Sequence, residues 1–135
     1  MKKTLVINLI GAPGAGKSTI SSRMFSDMKT DGLDVEIAPE YAKELVWEGR
    51  TETFKDELYL FAKQNHRMFR LNGKTDYIIT DRPLILSQFY NTMYGDKSEA
   101  FKNIVLVKFF IINYSLFVSG TNTPDSRSYN PSGFQ

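Results

Sequence analysis

The sequence predicts a three-layer α/β fold with a mainly parallel sheet. Strand-like and helix-like segments alternate along its 135 residues. Residues 4–10, TLVINLI, form a near-continuous apolar run of the kind expected for a strand buried on both faces of a parallel sheet. That run passes directly into the glycine-rich stretch 11–18, after which apolar residues recur at helical spacing. A strand, a loop and a helix in this order indicate the first unit of such a fold.

The remaining elements follow from apolar periodicity and from glycines at segment ends. The first helix continues through Ile20, Met24 and Met28, and Gly32 closes it. The predicted elements after it are a strand at 34–40, a helix at 41–49, a longer helix at 54–71, a strand at 76–80, helices at 83–93 and 98–110, and a strand at 113–118. We therefore predict a core over residues 1–118, followed by a turn-rich segment over 119–135.

Composition restricts the classes of protein that this chain can represent. With 41% hydrophobic and 24% charged residues it predicts a single globular domain. A net charge of +2 is too small to indicate a nucleic-acid or membrane partner. The absence of cysteine excludes disulfides and thiolate metal sites. The N-terminal apolar run is too short for a signal peptide, so we expect a cytoplasmic protein.

The loop matches the pattern of a phosphate-binding loop, with glycine, four residues, and then Gly-Lys-Ser. Glycines let the backbone wrap around an anion with its N–H groups pointing inward, and the following helix adds its positive N-terminal end. Lys17 is expected to reach the β- and γ-phosphates, and the Ser18 hydroxyl is expected to bind Mg²⁺. Thr19 either reaches the α-phosphate or caps its own helix. The predicted nucleotide-binding residues are Gly11, Ala12, Pro13, Gly14, Ala15, Gly16, Lys17, Ser18 and Thr19.

Charged residues follow the second and third predicted strands, where parallel sheets place their chemistry. Asp81 comes directly after an apolar strand and is a candidate Mg²⁺ ligand, or else a turn or helix-cap residue before Pro83. Arg82 could contact a phosphoryl group or substrate anion, or form an ion pair with Asp81 or Glu40. Glu40 is a candidate base for an acceptor hydroxyl, or only a favourable charge at a helix start.

The long helix carries further polar candidates. Lys63, Arg67, Arg70 and Lys74 share one face, which is either a solvated surface or a receptor for an anionic substrate or partner. Gln64 lies on the same helix and is a further polar candidate.

Three stretches, GAPGAGKST, EIAPEYAKELV and YIITDRP, together resemble the P-loop NTPases and kinases grouped with the nicotinamide riboside kinase domain. That grouping is of AAA-type ATPases and kinases and includes phage-encoded relatives. The resemblance covers about residues 4–93 and implies a P-loop NTPase fold of the nucleoside- and nucleotide-kinase type, binding ATP and Mg²⁺. The Asp-Arg pair also resembles that of deoxynucleoside kinases, which likewise place a glutamate after the second strand. The resemblance to nucleoside kinases also implies a candidate base contact at Gln64, where such kinases often use a helix side chain.

The resemblance also implies features that the sequence does not supply. Kinases of this fold usually add a fifth strand, a closing helix and a lid with several arginines. Residues 119–135 look like the start of such a lid, in which Arg127 is the one arginine, so we expect the last strand and helix to be missing at a truncated end. The fourth strand would then be an open edge, which favours self-association or aggregation.

These observations lead to a functional hypothesis with two alternatives. The leading hypothesis is phosphoryl transfer from ATP to a hydroxyl of a small, nucleoside-like acceptor. Lys17, Glu40, Asp81, Arg82 and Arg127 are its expected catalytic residues, and Ser18 and Asp81 its expected metal ligands. One alternative is an ATPase or nucleotide-dependent switch without a small-molecule acceptor. The other is an inactive, truncated remnant.

Overall fold

The structure, a computed structural model, describes residues 2–95, 97–112 and 114–119, with side chains described for 2–93, 95 and 97–109. The predicted alternation of strands and helices is confirmed over these residues. The elements are β1 (Leu5–Ile10), α1 (Lys17–Thr30), β2 (Val35–Ala38), α2 (Tyr41–Trp47), a 3-10 helix (Thr51–Lys55), α3 (Glu57–Phe69), β3 (Tyr77–Thr80), α4 (Leu86–Tyr94), α5 (Glu99–Ile112) and β4 (Tyr114–Ser119).

The four described strands form one parallel sheet in the order β2-β3-β1-β4. Ile79 of β3 lies between Ile7 of β1 and Ile37 of β2, which fixes the register across the centre of the sheet. Because neighbouring strands run in the same direction, the loop after β1 and the segments after β2 and β3 emerge at the same edge. The predicted parallel sheet is therefore confirmed, and its carboxyl edge brings the candidate site segments together.

Apolar side chains cover both faces of the sheet, as the uninterrupted strand pattern predicts. On one face the buried residues Ile7, Leu9, Val35 and Ile79 pack against Met24, Phe25 and Met28 of α1. On the other face Val6, Ala38 and Ile78 pack with Phe61 and Met68 of α3 and with Phe101 and Val105 of α5. The helices thus lie on both sides of the sheet, which completes the predicted three layers.

Two predicted helices begin later than the sequence pattern indicates. The segment 54–71 is divided, because the carboxylate of Asp56 accepts a hydrogen bond from the Tyr59 amide and caps the start of α3. The helix predicted from Pro83 begins at Leu86, and the Pro83 carbonyl instead accepts the Leu86 amide in a turn. Both corrections arise from local hydrogen bonds at helix starts, which apolar periodicity does not reveal.

The last described element, β4, ends at Ser119, and the core boundary at residue 118 stays a prediction. Within the described sheet β4 is an edge strand, paired with β1 along its whole length. The predicted lid-like segment beyond Ser119, including Arg127, lies outside the described residues.

Candidate functional site

The loop between β1 and α1 has the backbone that its glycines allow. Gly14 and Gly16 adopt positive φ angles of 78° and 85°, in the left-handed region that other residues rarely enter. Gly16 is also the N-cap of α1, and among the described residues no side-chain hydrogen bond caps that helix end. The first amides of α1 are therefore not satisfied by a capping side chain, as expected for a helix that receives an anion at its N-terminus.

The side chain of Lys17 folds back onto the start of the loop. Its ammonium donates hydrogen bonds to the carbonyl oxygens of Gly11, at 2.6 Å, and Ala12, at 3.2 Å. A Cβ atom on Gly11 would lie 3.3 Å from Cβ of Ala15 and 3.6 Å from Cγ of Lys17, so a side chain there would crowd the lysine stem. The loop thus holds a positive charge directly over its own backbone.

Ser18, Asp81 and Lys43 converge beside the loop. The Ser18 hydroxyl lies 3.3 Å from Oδ2 of Asp81, and the Lys43 ammonium donates to both oxygen atoms at 2.6 Å. Asp81 is only 8% exposed, and its Oδ1 is buried with no hydrogen-bond partner in the described part of the chain. It does not cap α4, since that helix begins five residues later. A hydroxyl and a carboxylate with a spare oxygen are suitable Mg²⁺ ligands.

Arg82 lies next to Ser18, Lys43 and Asp81 and forms ion pairs with two carboxylates. Its guanidinium lies 3.3 Å from Oε1 of Glu40 and 3.0 Å from Oε1 of Glu57, and it stacks over the ring of Tyr90 at 4.9 Å from the centroid. The arginine side chain is 8% exposed. Of the two ion pairs open from the sequence, the geometry shows the one with Glu40, which is the N-cap residue of α2 but makes no side-chain cap bond.

Burial raises the pKa of Glu57, and the nearby Arg82 charge and a hydrogen bond with Ser87 oppose that rise. Water would otherwise stabilise the ionised carboxylate, so placing it at 7% exposure favours the protonated form. The arginine is the main compensation for ionising Glu57, which makes the pair mutually dependent.

A cavity of about 460 Å³ opens beside these charges. Its walls include both carboxylates, the arginine and apolar or aromatic side chains: Glu40, Glu57, Arg82, Tyr90, Phe54 and Leu60. This volume is within the range of small-molecule sites, and the lining combines an apolar surface with a few polar groups, as such sites do.

The other polar candidates are placed elsewhere. Thr19 is exposed on the first turn of α1, where the cap residue is Gly16. Gln64 does not line the cavity: it is 1% exposed and accepts the Tyr41 amide at 3.0 Å, which ties α3 to the start of α2. Arg67 donates to the Pro39 carbonyl at 2.9 Å and pairs with Glu44, so it fastens helices together.

Two site residues were missed by the sequence reasoning. Lys43 lies three residues after Glu40, the N-cap of α2, and this spacing, which puts both residues at the start of the helix, could have drawn attention to Lys43. Glu57 fell inside a segment interpreted as one continuous helix, which concealed its position at the start of α3.

Comparison with known protein families identifies the family of this domain. A family model described as an AAA domain matches residues 6–118. The chain belongs to this AAA domain family. The match includes the phosphate loop, Glu40 and Asp81, and a P-loop domain of this type indicates nucleotide binding.

Solved structures resemble this AAA domain in fold. The crystal structure of APE1195 has a TM-score of 0.50 and 21% sequence identity, and the match covers 90% of this chain and 63% of that one. The chain therefore spans less than two thirds of that protein's length. A search of curated proteins finds no match. Within the described residues, no helix has the length and apolar character needed to cross a membrane.

Proposed function

We propose that this AAA domain binds ATP with Mg²⁺ and transfers the γ-phosphoryl group to a hydroxyl of a small, nucleoside-like molecule. The start of α2, from its N-cap Glu40 to Lys43, carries the main support. It extends Lys43 to Ser18 and Asp81 beside the phosphate loop, and it presents Glu40 to the 460 Å³ cavity. One short segment thus joins a phosphate-binding loop to a space of small-molecule size.

Each residue has a role that its position supports. Lys17 and the loop amides would hold the β- and γ-phosphates, and Thr19, exposed on the first turn of α1, would contact the α-phosphate. Ser18 and Asp81 would hold Mg²⁺, which supplies charge neutralisation at the transferring phosphate when bound.

The acceptor side of the reaction would use the cavity. The acceptor oxygen attacks the γ-phosphorus, the bond to the β,γ-bridging oxygen breaks, and ADP leaves. Glu40 takes the proton of the acceptor hydroxyl. Arg82 orients Glu40 through their ion pair and adds positive charge near the reacting groups. A role for Arg127, outside the described residues, belongs to the same proposal.

Transfer of label from [γ-³²P]ATP tests the proposal directly. The protein is incubated with Mg²⁺, labelled ATP and a panel of nucleosides that includes nicotinamide riboside and deoxynucleosides. Label in one acceptor supports the kinase. Label only as inorganic phosphate, whichever acceptor is supplied, supports the ATPase or switch, in which Glu40 would polarise water. No turnover of ATP would contradict both the kinase and the ATPase.

A matched pair of variants separates chemistry from folding. Glu40→Gln should lower kcat for transfer by about 100-fold or more while leaving ATP affinity little changed. Glu99→Gln, which alters a 72% exposed glutamate on α5, is the control and should leave kcat unchanged. Equal kcat in the wild type and in Glu40→Gln would remove Glu40 from the reaction.

A further inference from the structure

The ammonium of Lys43 takes the position between Ser18 and Asp81 that the proposed metal ion would need. It lies 2.6 Å from both Oγ of Ser18 and Oδ2 of Asp81, and those two oxygens are 3.3 Å apart. A positive charge therefore already sits between a hydroxyl and a carboxylate that can both bind a divalent cation.

The two partners of this ion pair differ in their freedom to move. Asp81 is 8% exposed at the end of a central strand, whereas the Lys43 side chain is 39% exposed on the first turn of α2. The lysine side chain has a flexible stem of four carbons, so its ammonium can move into solvent without disturbing the helix. Asp81 would then remain buried with its negative charge uncompensated, which is costly unless another cation arrives.

We propose that Lys43 is the resident cation of this site in the nucleotide-free protein, and that it gives way to a divalent cation only when nucleotide phosphates arrive. The inference rests on the proposed nucleotide site, not on the identity of the acceptor. One carboxylate and one hydroxyl supply too few oxygens to hold Mg²⁺ against a competing ammonium. Phosphate oxygens add ligands and negative charge, so the metal displaces the lysine only together with nucleotide.

Binding of Mn²⁺, followed by electron paramagnetic resonance of the free ion, tests this inference without measuring turnover. In the absence of nucleotide the wild type should bind Mn²⁺ weakly. Lys43→Met should bind it at least about tenfold more tightly, since the competing charge is gone. Lys43→Met combined with Asp81→Asn should lose that gain. Lys102→Met, which removes a similarly exposed lysine paired with Glu99 at 3.2 Å, is the matched control and should behave as the wild type.

The possible outcomes separate this inference from the proposed function. Mn²⁺ binding to the wild type as tight as to Lys43→Met would overturn the role of Lys43. If Lys43→Met does not fold, Lys43→Gln replaces it. A wild-type Mn²⁺ affinity that a non-hydrolysable ATP analogue leaves unchanged, although the analogue binds the protein, would also overturn the role. Calorimetry of the same analogue in EDTA measures the nucleotide site alone, so a failure to bind there would count against the proposed function instead.

Discussion

The two edges of the sheet carry similar charges in different surroundings. At the amino edge Lys2, just before β1, lies 2.7 Å from Asp34 and 3.2 Å from Asp76, which precede β2 and β3. These three side chains are 39–51% exposed. At the carboxyl edge Asp81 and Arg82 follow β3 with side chains that are 8% exposed.

This difference in solvation separates structural charges from candidate functional ones. Water screens the amino-edge ion pairs, so they contribute little to stability and need no further partner. Desolvation makes the carboxyl-edge charges costly, and their mutual attraction only partly offsets that cost. Buried charges that lie next to a cavity and a phosphate loop therefore indicate a functional site, because their burial is costly for stability.

The largest effect should come from removing the buried arginine. Arg82→Met leaves Glu40 and Glu57 without their shared cation, and we expect it to lower the free energy of unfolding by about 3–5 kcal/mol. Urea denaturation measures this change. Arg50→Met, at a position whose side chain is 51% exposed beside Glu48, is the control. An equal decrease in the free energy of unfolding of the two variants would contradict the expected difference between buried and exposed charges.

The next effect concerns nucleotide affinity. Lys17→Ala removes a charge-assisted contact to phosphate and should weaken ATP binding by about 10- to 100-fold, measured by calorimetry. Lys29→Ala, at the other end of α1, should bind ATP as the wild type does. Ser18→Ala should show its defect mainly when Mg²⁺ is present. Unchanged ATP affinity in Lys17→Ala would contradict the assignment of the loop.

The sequence was sufficient for the sheet and the loop because both depend on local patterns. A continuous apolar strand, glycines at fixed spacing and a following helix leave few alternatives for residues 4–30. The location of Asp81 and Glu40 could be predicted for the same reason, since polar residues at the end of a parallel strand lie at the carboxyl edge of the sheet. Asp81 follows β3 directly, and Glu40 lies two residues after β2.

The remaining parts of the site could not be predicted, because they depend on contacts between elements that the sequence does not specify. The position of Lys43 beside Asp81 requires the orientation of α2 against the phosphate loop, and the burial of Glu57 requires α3 to pack beside Arg82. Gln64 has a spacing compatible with a base contact, yet its side chain faces the Tyr41 amide. Helical spacing fixes which residues share a face but not what that face contacts.

A smaller effect should appear in the pH dependence of stability. The pKa of Glu57 is raised in the folded protein, so the folded state holds its proton more firmly than the unfolded state, and stability should fall as pH rises between the two pKa values. Glu57→Gln lacks this group and keeps a neutral side chain of similar shape. The free energy of unfolding of the wild type minus that of Glu57→Gln should therefore decrease from about pH 4 upward. A difference that stays constant with pH would show that the Arg82 charge balances burial, and one that increases with pH would show that the charge outweighs it.

The smallest effect should come from the amino edge. Lys2→Ala removes both ion pairs with Asp34 and Asp76, but all three side chains are substantially exposed, so water already solvates the carboxylates that remain. We expect a drop in melting temperature smaller than that of Arg82→Met, and added salt should abolish it, because ions screen exposed charges but not the buried pair. Thermal unfolding of both variants at low and high ionic strength measures this contrast. An equal drop in melting temperature for Lys2→Ala and Arg82→Met, unchanged at high salt, would contradict this expectation. The ion pairs of the amino edge would then stabilise the fold as much as the buried pair, and exposure would not distinguish the two edges.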